Sequence, residues 1–256
     1  MEIQWFGTAS IKISSGNTSL HFDPFVSMNK SLQYALVDDY AGAKDVFITH
    51  GHFDHVYNIP QIWNLSKCTI YCGVQVANVL MKQGVLPDYI RIIDHGQVVS
   101  IPPFVIKIYK SQHIRFDIPL IFKTLINKRM FQYYSNFKKI MTLNKAMPAG
   151  TVFAYEIVCH DKSILHFGSL NYSPAIDYPY KPTMLTLPFQ GRWDINHYAL
   201  QFIKKFIPQS IFLHHFDDTF PPVSSQVDTT KFVEAVTKAF PQMTVVIPEY
   251  GIPYSV

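Results

Sequence analysis

The sequence predicts an α/β protein of two packed sheets with helices outside, and three features carry that expectation. Short strand-like runs open the chain, strand and helix patterns alternate after residue 50, and a second strand-rich block begins near residue 151. Residues 2–6, 10–14 and 18–22 alternate apolar and polar positions and are separated by Gly7 and by Ser15-Gly16-Asn17, the pattern of consecutive antiparallel strands. Asp23-Pro24 ends the third run. Residues 45–49, Asp-Val-Phe-Ile-Thr, form a buried-type strand leading straight into His50.

The alternation that follows predicts a helix over 56–65, a strand over 69–72, and a helix over 74–83 closed by Gly84. Strands are expected at 89–93, 97–100 and 105–110. Residues 118–147 break the rhythm. They are basic, aromatic and helix-like, with Lys123, Lys128, Arg129, Lys138 and Lys139 among apolar residues. About thirty residues are too few for an independent core, so this stretch is expected to be a helical cap inserted into one domain spanning 1–256. Strands resume at 151–158 and 163–167. The last third alternates again, with strands at 183–187, 210–214 and 244–247 and helices at 195–206 and 229–240. No fixed-period repeat or low-complexity segment interrupts the chain.

Composition narrows the classes. The formal charge is +4, and no Lys/Arg block or basic stripe with interleaved aromatics marks a nucleic-acid surface, so no nucleic acid is expected as a partner. Twenty Phe and 15 Tyr suit thick sheet cores and an apolar pocket for a small-molecule substrate. Cys68, Cys72 and Cys159 are an odd number, two of them in a strand-like stretch, which fits buried thiols in a reducing compartment rather than a disulfide framework. The N-terminal residues have no basic leader followed by an apolar run, and no window reaches the length of a transmembrane segment, so a cytoplasmic protein is the expectation.

The chemistry concentrates at Thr49-His50-Gly51-His52-Phe53-Asp54-His55. A divalent metal needs several neutral imidazoles or carboxylates converging on one point. Residues two apart on an extended segment point the same way, so His50 and His52 can share one ion. Asp54 and His55 stand where the next helix starts, turned toward a second position. Further histidines lie at strand exits, the same place the cluster occupies: His113 after the strand ending at 110, and His214 and His215 after the strand starting at 210. His21, His95, His160, His166 and His197 have weaker context and are expected to be structural.

His50-x-His52-x-Asp54-His55 resembles the signature of the metallo-β-lactamase superfamily, whose fold is a four-layered αββα sandwich; the resemblance spans essentially the whole chain. Leu20-His-Phe-Asp23-Pro24-Phe25 is similar to the Asp-Pro turn of its metal-dependent hydrolase branch, which includes lactonase-like and phosphodiesterase-like members. His215-Phe-Asp-Asp-Thr-Phe-Pro221 is similar to that branch's C-terminal segment. The resemblance implies one or two divalent ions, zinc first, with manganese or iron as the other candidates. It assigns His50, His52 and His113 to one ion and Asp54, His55 and His215 to the other, with His214 as the alternative to His215. Asp23 would orient a ligand imidazole. The implied activity is hydrolysis of a small ester, lactone or phosphodiester by a metal-activated water, with Asp54 as the catalytic carboxylate.

One position departs from the pattern. In Ile164-Leu-His-Phe-Gly168-Ser169-Leu-Asn171, Ser169 stands where the family carries a bridging aspartate. A mononuclear site, a looser second ion, recruitment of Asn171 or another carboxylate, and a vestigial site all remain open. A non-catalytic or sensory ligand-binding protein of the same fold is therefore the alternative function. The family's redox di-iron branch generally carries Glu at the position of His52, which counts against that reading.

Overall fold

The computed structural model describes residues 1–32, 34–115 and 128–256. Two seven-stranded sheets lie face to face with helices on their outer sides, an α/β sandwich. The first sheet contains β1 (Glu2–Trp5), β2 (Ile11–Ser15), β3 (Thr18–Phe22), β4 (Asp45–Phe47), β5 (Thr69–Cys72) and β6 (Ile90–Ile92) in that order. β14 (Pro253–Ser255) returns from the end of the chain to pair antiparallel with β1. The second sheet runs β7 (Val98–Ile101), β8 (Phe104–Ser111), β9 (Val152–Cys159), β10 (Lys162–Phe167), β11 (Met184–Pro188), β12 (Ser210–His214) and β13 (Thr244–Val246). In each sheet one part is antiparallel, made of hairpins, and the other parallel: β3 to β6 in the first, β10 to β13 in the second.

Side-chain alternation builds the layers. Phe47 of β4 points between the sheets, where it stacks with Tyr71 and meets Tyr155 of β9 edge-on. Val46 and Ile48 point the other way, under α1 (Phe53–Val56), α2 (Ile59–Ser66) and α3 (Val74–Lys82). On the second sheet, α6 (Ile195–Phe206) and α7 (Thr230–Ala239) bury Phe202, Phe206, Phe232 and Val236. All three cysteines are buried and free. Among the described residues no helix is long and apolar enough to cross a membrane.

Three expectations change. The single helix expected over 56–65 is two helices, because Pro60 has no N–H to give the carbonyl of Val56 and a new helix begins around it. The strand expected to reach Thr49 ends at Phe47, because the Thr49 N–H is taken by the Asp23 carboxylate instead of a neighbouring strand. The inserted segment yields α4 (Arg129–Gln132) and α5 (Tyr134–Ala146); the expected helical residues 118–127, with Lys123, lie outside the described residues. The terminal strand β14 had no counterpart in the sequence reading.

Candidate metal centre

The site sits where β3, β4, β8, β10 and β12 release the chain along the seam between the sheets. Asp23 follows β3 with φ of 46°, a left-handed turn that aspartate tolerates, and its carboxylate is fully buried. Oδ1 accepts the Thr49 N–H at 2.8 Å. Oδ2 accepts the Thr49 hydroxyl at 2.6 Å and lies 2.8 Å from His55 Nδ1. A hydroxyl has one proton, and Thr49 gives it to Asp23, so its oxygen accepts from His50 Nδ1 at 3.1 Å. Asp23 therefore orients His55 directly and His50 through Thr49. Both rings carry their proton on Nδ1 and leave Nε2 as the donor for a ligand.

His52 caps the N-terminus of α1 in extended conformation, so its ring stands beside that of His50, with centroids 4.9 Å apart. His113, two residues beyond β8, completes the group at 4.5 Å from His52 and 5.0 Å from His50. Its Nδ1 is 2.7 Å from the Ile114 carbonyl, which only accepts, so its Nε2 is also free of a proton. The loop carrying it is clamped from β10's exit: Ser169 Oγ accepts the Ile114 N–H at 2.9 Å, and Asn171 Nδ2 donates to the His113 carbonyl at 3.1 Å.

Asp54, His55 and His215 form the second group. Asp54 Oδ2 is 3.0 Å from His215 Nε2 and 3.6 Å from His55 Nε2. His215 has φ of 57°, and its N–H donates to the carbonyl of Thr8 at 2.7 Å. That left-handed turn brings the ring to Asp54, whereas His214 points into the core with Nε2 at 3.2 Å from the Phe167 carbonyl. His214 is thus outside the cluster. Ser169 lines the cavity with its Oγ accepting the Ile114 N–H, and Asn171 turns its amide to the His113 loop.

In each group the potential ligand atoms lie within 4.8 Å of one another. Neutral imidazole nitrogens with a carboxylate are the donor set of a divalent transition ion, which binds nitrogen at about 2.0–2.1 Å. The fit is supported by His50 Nε2, which is buried and has no hydrogen-bond partner among the described residues. Burial, then the neighbouring imidazoles, pushes the proton affinity of His50 well below the usual histidine value. Burial and His52 push His113 down to about 4. His55 moves the other way: burial opposes its charge, but Asp23 and Asp54 outweigh it. Asp54 is also buried, yet His55, His215 and His52 hold it well below the usual carboxylate range.

Sequence reasoning missed Thr49 as the link between Asp23 and His50, and Thr8 as the anchor of His215. Thr49 had a signal: it continues the parity of Phe47 and so faces the second sheet. There it meets Gly168, where an added Cβ would fall 2.0 Å from Thr49 Oγ1. Thr8 had none, because its contact with His215 spans most of the chain.

Both groups line the floor of a cavity of about 550 Å³. Its walls include Phe53, Ile114, Leu170 and Phe220, with Phe137 and Met141 contributed by α5.

Sequence comparison gives relatives called UPF0173 metal-dependent hydrolases. The chain spans about half the length of the first of these, including 48% of the one from Chelativorans sp. (strain BNC1), at 26% identity. The relative from Methanobrevibacter smithii aligns over 98% of this chain and 95% of its own length, at 22% identity. Among solved structures, Igni18, a metallo hydrolase from Ignicoccus hospitalis, superposes with a TM-score of 0.68 over 100% of this chain and 98% of its own, at 17% identity. The metallo-β-lactamase fold protein YhfI from Bacillus subtilis gives 0.66 over 99% and 98%, at 14% identity. A family model described as 6-hydroxymethylpterin diphosphokinase MptE-like matches residues 56–174, less than half of the chain and outside His50, His52, Asp54, His55 and His215. The fold is that of a metallo-β-lactamase sandwich, with two groups at its edge that could hold a metal ion. In sequence the chain is similar to metal-dependent hydrolases, and in fold to metallo-β-lactamase fold proteins.

Proposed function

We propose that the protein is a hydrolase that uses one or two divalent ions, zinc first, to cleave a small ester, lactone or phosphodiester. The observation that carries this reading is the pair of ligand groups side by side on the floor of one cavity. His50, His52 and His113 would hold one ion and Asp54, His55 and His215 the other. Ions bound there supply Lewis acidity and bring the ionisation of water into the neutral range.

The chain's own residues do the rest. Asp54 has two carboxylate oxygens, so it holds the proton of the attacking water at one while the other faces His55 and His215. Asp23 keeps the His55 ring, and through Thr49 the His50 ring, with Nε2 toward the cavity. The aromatic and aliphatic walls limit bulk water around the reacting group. α4 and α5 act as a cap on a single domain in this reading, and the buried free thiols support a reducing, cytoplasmic setting with a small-molecule partner.

His52→Ala is expected to abolish both metal content and hydrolysis, measured by elemental analysis and ester turnover; an active, metal-free variant overturns the proposal. A non-catalytic ligand-binding role is the second reading. It is favoured by one observation: the Ser169 hydroxyl is committed to Ile114, which leaves no bridging carboxylate at that position. Full metal loading without turnover of any ester, lactone or phosphodiester would support it. The pterin diphosphokinase likeness is set aside because no Lys or Arg is among the described residues lining the cavity to meet a polyphosphate.

A further inference from the structure

We propose that the cavity selects an ester or lactone bearing an uncharged, apolar chain, with Phe137 and Met141 of α5 as the specificity-determining residues. This deepens the hydrolase reading and rests on it for the reacting group. Phe137, Met141 and Asn144 are spaced i, i+4 and i+7, so they share one face of α5, and all three line the cavity above the histidines. Across from them stand Leu170, fully buried, and Phe220 and Val223 from the loop after β12. A chain entering between these surfaces meets carbon on both sides.

Three described cations of α4 and α5 are engaged elsewhere. Lys138 lies over the ring of Tyr134 at 4.8 Å, and Lys139 over Tyr57 at 4.7 Å. Arg129 is paired with Asp218, and no Lys or Arg is among the described residues that line the cavity. An anionic group placed along this wall would lose its hydration without gaining a counter-charge. An acidic tail brings such a charge to the wall, whereas a charge at the reacting group would face the ions' site on the cavity floor. An alkyl chain loses nothing there, and each methylene removed from water is worth about fourfold in binding, the equivalent of ~0.8 kcal/mol. A volume of about 550 Å³ lies within the range that holds such a molecule, roughly 300–1,000 Å³.

The test uses the zinc-loaded full chain and 4-nitrophenyl esters, in which the reacting group is constant and only the acyl chain changes. From acetate to octanoate, kcat/KM is expected to rise about fourfold per methylene until the cavity is filled. The mono-4-nitrophenyl ester of adipate, with a carboxylate at the chain end, should fall at least tenfold below the hexanoate. Met141→Glu should raise KM for octanoate at least tenfold and flatten the series, and Met141→Leu should restore it; Met141 is 52% exposed, so neither change threatens folding. In parallel, binding of neutral N-phenyl-1-naphthylamine is followed by fluorescence without turnover, and Met141→Glu should weaken it at least tenfold. An active enzyme with a flat series, or with equal rates on adipate and hexanoate esters, overturns the inference and leaves the hydrolase reading standing. Absent turnover with Met141-dependent probe binding retires the hydrolase reading and keeps the apolar selectivity. A probe that does not bind, or binds wild type and Met141→Glu alike, overturns the selectivity.

Discussion

The two ligand groups differ in what holds them ready. His50, His52 and His113 form a group of imidazoles alone, with His50 oriented by Thr49 and His113 by the Ile114 carbonyl. Asp54, His55 and His215 are closed on one another, the carboxylate touching one ring and approaching the other. In the first group burial lowers the proton affinity of His50 and His113 and so favours their neutral form. The second satisfies itself by internal charge pairing, which an ion must displace. The comparison teaches that neighbouring ions in one cavity would depend on different supports, neutral burial for one and acidic residues for the other.

The largest test of that asymmetry removes one ligand from each group. His50→Ala should lose the first ion and take hydrolysis below detection. His215→Ala should lower the metal count by one while His50, His52 and His113 keep theirs, as elemental analysis and metal titration would record; loss of both ions from either variant would erase the distinction. Acidification should separate the groups in the same order. The first binds metal as neutral imidazoles, and with His113 at about 4 the proton competes only near that pH. His55 is raised above its usual value, so as pH falls the proton competes for it before it competes for His113. Between pH 7.5 and 5 the second ion should therefore leave first, and simultaneous release would contradict the different environments.

Smaller effects probe the supports. Asp23→Asn should weaken metal affinity about ten- to a hundredfold, because a neutral amide holds His55 and Thr49 less firmly than a carboxylate. Metal-competition measurements would place the larger share on the second ion, whose ligand Asp23 touches directly. Ser169→Ala should cost about 1–3 kcal/mol of unfolding free energy by stranding the buried Ile114 N–H, without changing the metal count. A drop in metal count would mean that Ser169 is a ligand after all.

Much of this arrangement was legible in the sequence because it rests on short-range rules. Alternation placed Val46 and Phe47 on opposite faces, and a strand exit placed His50 at the seam. The position of His113 and His215 at other strand exits was legible for the same reason. The choice of His215 over His214 came from the resemblance and from no short-range rule, since it is made by a left-handed turn at His215 that Thr8, some two hundred residues away in the chain, holds through a hydrogen bond. The proton positions on His50 and His55 were equally hidden. That of His50 follows from the single hydroxyl proton of Thr49 and the direction it takes, and that of His55 from Asp23 beside it, contacts that only the three-dimensional fold sets. The break at Pro60 was a local signal overlooked in favour of apolar periodicity.

The seam itself has a mechanical consequence. His50 and His52 leave the first sheet and His113 the second; Asp54 and His55 leave the first and His215 the second. Each ion would thus act as a rivet joining the early and late portions of the chain, at the level where Thr49 and Gly168 already touch. Occupancy at a hundred times the dissociation constant would add about 2.7 kcal/mol to the stability of the sandwich. Chelation should therefore speed amide exchange in β4 and β12 together, although they belong to different sheets and share no ladder.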